Sequence, residues 1–220
     1  ILRKKVSPLF LFNTVGYQRH LTDPAVLHHF EEALYDHVRL GEAREDIRRV
    51  EPLARDADML TFHLAALNSY ELPAQEEVSP SGFSVEEGCR ISRYAGLSDK
   101  LSSISFLGLN TASGGVRLSA NAVAQLVWYF LDGFFQRKGD FPKSTEGLVE
   151  YVVPLRELDH QVSFWKSGRS GRWWMEAPAG DITAPDRQYH YLVPCSYEDY
   201  LRAGQGELPD RLLRSYYRFQ

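Results

Sequence analysis

The stretch DMLTFHLAAL, residues 58–67, decides how the rest of this sequence is interpreted. A short run of apolar residues predicts a buried strand here: Met59, Leu60, Phe62 and Leu64. The run ends at His63 and Ala65, and residues two apart in a strand point to the same side. The end of this strand is therefore a metal site, what remains of one, or ordinary core.

Strand-like and helix-like segments alternate along the first 140 residues. Apolar runs predict strands at 7–13, 58–64 and 102–110, and apolar residues at helical spacing predict helices at 22–41, 43–57, 84–98 and 120–135. Strands that alternate with helices are typical of an α/β domain, in which helices cover both faces of a parallel sheet. Ligands of such sheets bind outside the carboxyl ends of the strands, where His63 and Ala65 lie.

Local signals set the ends of these predicted helices. Asp23 is an N-cap residue with Pro24 at the first helical position, and Gly41 is expected to close that helix. Ser84 and Glu87 have the spacing of a capping box. Pro52 is expected to break the second helix. The last helix is expected to bury one apolar face: Val123, Leu126, Val127, Phe130 and Phe134.

After Pro142 the alternation of strands and helices gives way to short segments rich in aromatic residues. Short aromatic segments at 148–155, 160–167, 171–178 and 188–194 predict strands, and Gly-Arg-Ser-Gly between two of them predicts a hairpin. Helices are expected at 196–204, with Ser196 as N-cap, and at 208–219. We therefore expect an α/β domain at 1–140 and a C-terminal extension at 141–220 that packs on the same domain.

The size and charge of the chain limit what it does. Its 220 residues are 44% hydrophobic with a formal net charge of -4, which suits a globular domain and gives no reason to expect a nucleic-acid partner. No apolar run reaches the roughly 18 residues of a membrane helix, and the first residues lack the order of a secretory signal. Cys89 and Cys195 form no metal-binding spacing, so we expect a reduced, cytoplasmic protein.

Stretches spread over nearly the whole chain resemble the C-terminal part of the arginase or ureohydrolase family, and within it the formimidoylglutamase-like branch of Bacteroidetes. The segments that carry the resemblance are FNTVGYQRHLTDP (12–24), RLGEAREDIRRVEPLARDADMLTFHLAAL (39–67), GFSVEEGCRISRYAGLSDK (82–100), VAQLVWYFLDGFFQRKGDFPK (123–143), RWWMEAP (172–178) and LVPCSYEDYLRAGQGELPDR (192–211). They come in family order, and together they imply a three-layer α/β/α fold with a parallel sheet, of which this chain lacks the N-terminal strands. We expect the chain to be the C-terminal part of a longer protein.

The resemblance also implies a chemistry and a ligand set. Family members hold a pair of manganese ions and hydrolyse the C–N bond of an amidine or guanidinium group. Thr61-Phe62-His63-Leu64-Ala65 occupies the position of a Ser-Phe-Asp-x-Asp motif, so His63 and Ala65 replace two aspartates, and Gly108 matches a later glutamate. The two early ligand motifs of the family are absent. A histidine binds a metal through a ring nitrogen, whereas Ala65 and Gly108 offer no ligating side chain.

Other residues compete for a functional role. His29 and Glu32 are three apart on a predicted helix, and Cys89 follows Glu86 and Glu87 on another, where a core position is expected. The aromatic hairpin contains Lys166 and five residues that fit core packing, a subunit interface or contact with a substrate carboxylate: Trp165, Arg169, Arg172, Trp173 and Trp174.

Three hypotheses remain open after this reading. The first is a family member without an intact binuclear site in this chain, and hence a structural, regulatory or ligand-binding protein that binds no manganese. The second is a manganese hydrolase of a formimidoylglutamate-type amidine that takes most ligands from outside this chain. The third is a subunit of a larger assembly, with a homo-oligomer expected, in which the Trp-rich hairpin docks.

Overall fold

The computed structural model describes residues 11–155, 160–177 and 191–219. Most of the strand predicted at 7–13 lies outside the described residues, as does the start of the one predicted at 188–194. The described elements before residue 140 are β1 (Asn13–Tyr17), α1 (Pro24–Glu32), β2 (Asp36–Arg39), α2 (Leu40–Glu45), α3 (Val50–Asp56), β3 (Met59–His63), α4 (Val85–Leu97), β4 (Ser103–Leu107) and α5 (Val116–Phe135).

Two of the predicted helix starts, at Asp23 and Ser84, are confirmed by their hydrogen bonds. The side chain of Asp23 accepts a hydrogen bond from the amide of Ala25 at 2.9 Å, ahead of Pro24 at the first helical position. The Ser84 Oγ accepts from the Glu87 amide at 3.1 Å, and the Ser84 amide donates to Glu87 Oε2 at 2.7 Å. This capping box satisfies amides that the first turn of α4 leaves unpaired.

The single helix predicted over 22–41 is wrong, because it contains a strand. The helix ends at Glu32, Leu34 takes a positive φ of 56°, and β2 then pairs in parallel with β1. Leu34 and Val38 are four residues apart, so a turn followed by a four-residue strand imitates helical spacing. Gly41 lies inside α2 rather than at a helix end, and Pro52 lies in the first turn of α3, where a proline is tolerated.

The predicted parallel pairing is confirmed, in two separate sheets. β1 pairs with β2 and β3 pairs with β4, with the register running from Met59 opposite Ser103 to His63 opposite Leu107. The two sheets contribute to one core, in which α4 and α5 also take part; its most buried members include Phe62, Leu64, Leu67, Phe83 and Leu126. A single hydrophobic core therefore supports both pairs of strands.

The α4 and α5 helices cross at close range through two glycines. A methyl group at Gly96 would lie 2.1 Å from the Phe130 carbonyl oxygen, and one at Gly133 would lie 2.5 Å from that of Arg93. Only glycine permits backbones to approach this closely. The predicted buried face of α5 is correct for Leu126 but wrong for Val127 and Phe134, which are 38% and 43% exposed, because α5 contacts the rest of the chain along a narrow stripe.

The C-terminal extension is an antiparallel sheet with two helices. Its strands β5 (Leu148–Leu155), β6 (His160–Ser167), β7 (Trp173–Glu176) and β8 (Leu192–Cys195) pair in sequence order, which confirms the predicted hairpin between β6 and β7. The helices α6 (Tyr197–Gly204) and α7 (Asp210–Phe219) follow, with Ser196 as the N-cap of α6. Within the described ranges, no helix has the length and apolarity that crossing a membrane requires.

Candidate functional site at the ends of β3 and β4

The strand that carries the candidate metal position ends earlier than the sequence predicts. β3 stops at His63, and residues 64–66 form a 3-10 turn, so Ala65 does not continue the strand and does not share the direction of His63. The buried side chain of Gln75 donates to the carbonyl oxygens of Leu64 at 3.0 Å and Leu67 at 2.7 Å. These two bonds hold the turn closed immediately after the strand.

His63 is exposed, and its ring takes part in the turn that follows it. Its Nδ1 accepts a hydrogen bond from the Ala65 amide at 3.3 Å, so His63 caps the 3-10 turn. A neutral imidazole that accepts at Nδ1 carries its proton at Nε2. Nδ1 therefore already accepts a bond from the turn, and a single imidazole supplies too few ligands for two divalent ions.

Gly108 provides the space for the His63 ring. It follows β4 directly with a φ of +90°, and a methyl group at this position would lie 2.9 Å from the Cε1 and 3.2 Å from the Nε2 of His63. A side chain at 108 would therefore be strained in its backbone and would collide with the imidazole. The space at position 108, where the sequence resemblance predicts a replaced glutamate, is thus filled by the ring of His63.

The residues at these strand ends do not fit a pair of manganese ions. Two divalent ions need several oxygen or nitrogen ligands with compensating negative charge. His63 is committed to the turn, and neither Ala65 nor Gly108 has a ligating group. Across residues 11–155, 160–177 and 191–219, no group of three histidine, cysteine or acidic side chains comes together in a way that could hold a metal ion.

The hairpin residues singled out in the sequence contact this chain itself. Trp165 donates from Nε1 to Glu176 at 3.1 Å, and Arg169 donates to the Gly139 carbonyl oxygen at 3.1 Å. Trp174 is 1% exposed and belongs to a small core with Phe141 and Leu192, whereas Trp173 stacks on Tyr200 with ring centroids 4.8 Å apart. The structure brings these aromatic residues together within the extension.

Arg172 and Arg55 join the extension to α3. Arg55 is 4% exposed and donates to the carbonyl oxygens of Trp173 and Cys195 at 3.0 Å each, and its guanidinium lies 4.5 Å from the Trp174 ring centre. Its Nε lies 3.0 Å from Glu51, and the Nε of Arg172 lies 3.5 Å from the same carboxylate. Burial lowers the pKa of Arg172 and Glu51 opposes that shift, so this carboxylate stabilises two buried cations.

A second set of buried ion pairs anchors the last helix. Arg211 of α7 contacts Asp36 at 2.9 Å and Asp56 at 2.7 Å, and Arg214 contacts Asp36 at 3.0 Å. Lys100 lies 3.2 Å from Asp56. Burial would lower the pKa of Arg211, but the two aspartates outweigh it and raise that pKa.

A cleft of about 890 Å³ opens between the β1–β2 sheet and the extension. Its lining includes Tyr17 and Arg39, which end the two strands, and residues of α6 and α7 such as Asp199 and Arg211. Several charges in it pair with one another, including Arg39 with Glu42 and Arg48 with Asp46. The cleft therefore offers volume for a ligand, and its lining carries charges of both signs.

The remaining candidates occupy ordinary positions. His28, rather than the predicted His29, lies near Glu32, with Nε2 at 3.3 Å, and both side chains are largely exposed. Burial is the largest cause that raises the pKa of the Cys89 thiol to about 11, so Cys89 is a protonated core residue at neutral pH.

Sequence reasoning missed the buried ion pairs and the turn after His63. Arg55 and the residues whose carbonyl groups it binds are 118 and 140 residues apart in the sequence, so no local spacing of residues predicts these hydrogen bonds. Glu51 and Arg55 are four apart, which predicts a surface helix pair, but nothing nearby indicates that Arg55 is buried. The 3-10 turn is bound by Gln75, which lies in a loop whose sequence shows no regular pattern.

Comparison with known proteins gives a fold. No protein-family model matches the chain and no curated protein matches its sequence. Solved structures do match: a Mn²⁺-bound formiminoglutamase from Trypanosoma cruzi (18% identity, TM-score 0.52), the formimidoylglutamase from Bacillus subtilis (14%, 0.52), and an arginase superfamily protein from T. cruzi (18%, 0.52). This chain therefore contains part of an arginase-like α/β fold.

The match is partial in both directions. Each of the three alignments includes 57% of this chain. They include 45% of the T. cruzi formiminoglutamase, 41% of the B. subtilis formimidoylglutamase and 44% of the T. cruzi arginase superfamily protein, so the chain spans less than half the length of the structures that it matches. More than half of each matched structure has no counterpart aligned here.

Proposed function

We propose that this chain is a formimidoylglutamase-like member of the arginase family that forms no binuclear manganese site of its own. The observation that carries the proposal is the hydrogen bond from the Ala65 amide to His63 Nδ1, together with the close contact between the His63 ring and Gly108. The one potential ligand is used as a cap, and the two positions that would supply carboxylates have none. The chain would then serve as a scaffold, a regulator or a binder of an amino-acid-derived amidine.

The test measures metal content and hydrolysis separately. Purified chain is dialysed against excess manganese and then against buffer, and its metal is determined by mass spectrometry. Formamide release from formimidoylglutamate and urea release from arginine are followed in parallel. We expect well under one manganese ion per chain and no product above the protein-free rate; about two ions per chain with product release would refute the proposal.

A double variant shows whether the missing carboxylates are the cause. His63→Asp with Ala65→Asp returns two hard oxygen ligands to this strand end, and manganese prefers such ligands. Retention of metal by the double variant, but not by the natural chain, would attribute the loss to these positions. Ser103→Asp with Ser105→Asp, on the paired strand, is the matched control for two added charges.

The rival proposal is a manganese-dependent amidine hydrolase that takes most ligands from polypeptide outside this chain. It is supported by the Mn²⁺ held by the T. cruzi formiminoglutamase, a protein of similar fold. Under this proposal a longer protein that includes the chain binds manganese and hydrolyses the amidine, and aspartates at 63 and 65 preserve or raise the rate. A longer protein without either property favours the scaffold.

A further inference from the structure

The two edges of the sheet in the C-terminal extension differ in what covers them. At one edge, β8 contacts α3, and two of its carbonyl groups accept hydrogen bonds from arginines: Cys195 from Arg55 at 3.0 Å and Pro194 from Arg211 at 2.5 Å. At the other edge, β5 pairs with β6, and within the described ranges no other strand pairs with it and no side chain is hydrogen-bonded to its main chain. The β5 edge is therefore the open side of this sheet.

β5 is long and apolar for an open edge strand. It has eight residues, more than most strands. Val149 is 52% exposed, Val152 is 50% exposed and Tyr151 is 36% exposed. Because successive side chains of a strand point to opposite faces, the two valines expose apolar surface on opposite faces of the sheet. A long, apolar and exposed edge of this kind is a template for a further strand.

Two residues of β5 are of types that often protect an edge, but they leave most of the strand available. The Oε1 of Glu150 accepts a hydrogen bond from Ser163 Oγ of β6 at 2.6 Å, so this carboxylate is directed across the sheet towards β6 and not beyond the edge. Pro154 lacks an amide N–H, and it lies next to the last residue of the strand. Pairing with a further strand is therefore expected over residues 148–153.

We propose that β5 pairs antiparallel with β5 of a second copy of this chain across a two-fold axis, so that two four-stranded sheets become continuous. A strand fits this edge because it both pairs with the main chain and covers apolar side chains on the two faces. A two-fold axis pairs a strand with itself in antiparallel orientation, which is the pairing found throughout this sheet. The inference is independent of the proposed function, and its surface differs from the Trp-rich hairpin of β6 and β7.

The charge of Glu150 limits the register of this pairing. Residues that lie opposite one another in antiparallel strands point to the same face, so the axis passes between two copies of one residue, and an axis near the middle of β5 pairs the most residues. An axis at Glu150 would place two carboxylates opposite one another, which is destabilising. An axis at Tyr151 places Glu150 opposite the partner's Val152, and an axis at Val152 places two valines opposite one another. We expect one of these last two registers.

The first experiment measures self-association by analytical ultracentrifugation at several concentrations of the 220-residue chain. Val152→Glu introduces a carboxylate that faces either the partner's Glu150 or its own copy, and like charges directly opposite destabilise a strand pair. We expect the natural chain to form a dimer, and Val152→Glu to raise the dissociation constant of that dimer about tenfold or more. Val78→Glu, at a loop valine that is 68% exposed, is the matched control and should leave the dissociation constant unchanged.

Two results of this experiment overturn the proposal. One is a natural chain that remains monomeric at every concentration, which would leave the edge to a strand of a different protein. The other is a dimer that Val152→Glu and Val78→Glu weaken equally, because the surface that forms such a dimer would not include β5.

Single cysteines locate the axis without introducing a charge. The natural thiols of Cys89 and Cys195 are buried. Directly opposite Cα atoms in antiparallel strands lie about 4.5–5.5 Å apart, which a disulfide can span. We expect either Tyr151→Cys or Val152→Cys, whichever lies at the axis, to form a covalent dimer under mild oxidation about tenfold faster than Val78→Cys. Dimer formation by both at the rate of Val78→Cys overturns the proposal. Neither experiment measures manganese, so failure here is distinct from failure of the metal proposal.

Discussion

The end of β3 and the junction between α3 and the extension use polar residues in opposite ways. At the strand end, His63 is exposed and satisfied by a bond within its own turn, and its neighbours Ala65 and Gly108 carry no polar side chain. At the junction, Glu51, Arg55 and Arg172 compensate one another among buried carbonyl groups. At the junction, buried charge therefore holds the extension in place, whereas at the strand end the polar group of His63 closes a turn on the surface.

The difference shows where sensitivity to substitution should lie. Removing one member of a buried ion pair leaves the other charge without compensation, and this costs far more than loss of an exposed pair. A cap on an exposed turn contributes about as much as any helix cap. The junction should therefore tolerate change poorly, and the strand end should tolerate it well unless backbone geometry is disturbed.

The largest effect is expected for Arg55→Met. This change leaves Glu51 with Arg172 alone and leaves the carbonyl oxygens of Trp173 and Cys195 without their donor. We expect the free energy of unfolding to fall by about 3–5 kcal/mol, the range for one partner of a buried pair. Urea denaturation followed by tryptophan fluorescence measures it.

Arg90→Met is the control for this substitution. Arg90 and Glu86 form a pair four residues apart on α4, and both side chains are largely exposed. An exposed pair contributes at most about 1 kcal/mol, so the unfolding curve should scarcely move. Similar losses for both variants would mean that the junction is not the compensated buried cluster described here.

Gly108→Ala should have the next largest effect, and it tests the strand end by geometry. The new methyl group would lie 2.9 Å from the His63 ring at a φ of +90°, so we expect a loss of about 1–3 kcal/mol from strain and collision together. His63→Ala in the same chain removes the ring and should recover part of that loss. Additive effects of the two changes in denaturation experiments would contradict the packing of the ring on Gly108.

Residues that act on near neighbours were predictable, and those that act across the chain were not. The starts of two helices were predictable from Ser84 with Glu87 and from Asp23 with Pro24, because capping involves groups within three residues of one another. Strands β5 and β6 were predicted with the bounds observed, since alternating apolar residues between turn signals are a local pattern. β2 was missed because four residues after a turn are too few to show a period of two.

The candidate site divides in the same way. The sequence was sufficient to locate the strand end and to give the residue types at 63, 65 and 108, because both can be taken directly from the order of residues. It did not foresee that β3 stops at His63, because the turn is held by Gln75 from a loop more than ten residues later. It also did not foresee that Arg55 and Arg172 share Glu51, since two of these residues belong to one helix and the third to a distant hairpin.

His63→Ala alone should have a smaller effect than Gly108→Ala. It removes the cap of the 3-10 turn while Gln75 still holds the Leu64 and Leu67 carbonyl groups. Loss of a cap costs about 1 kcal/mol, and we expect a decrease of this size or less in the free energy of unfolding. Gln75→Ala is the informative comparison, because it removes a buried donor from both carbonyl groups and should cost more, although the Leu64 oxygen still accepts from the Leu67 amide at 3.0 Å.

The smallest effect on stability near neutral pH is expected for the two buried thiols, Cys89 in the α/β part and Cys195 in the extension. Burial, the largest cause, raises the pKa of Cys89 to about 11 and also raises that of Cys195 above its ordinary value. From about pH 9, where an unfolded thiol ionises, up to pH 11 the folded chain holds more protons than the unfolded chain, so stability falls as pH rises. Cys89→Ala should flatten this decline in the urea midpoint between pH 9 and pH 11, with little change at pH 7.

The rate of reaction with a thiol reagent at pH 8 compares the two regions directly. Arg55→Met should speed modification of Cys195, whose carbonyl group Arg55 binds, and leave Cys89 as slow as before. Equal acceleration at both cysteines would mean that the extension and the α/β part open together, and the contrast between the two regions would then be one of chemistry and not of stability.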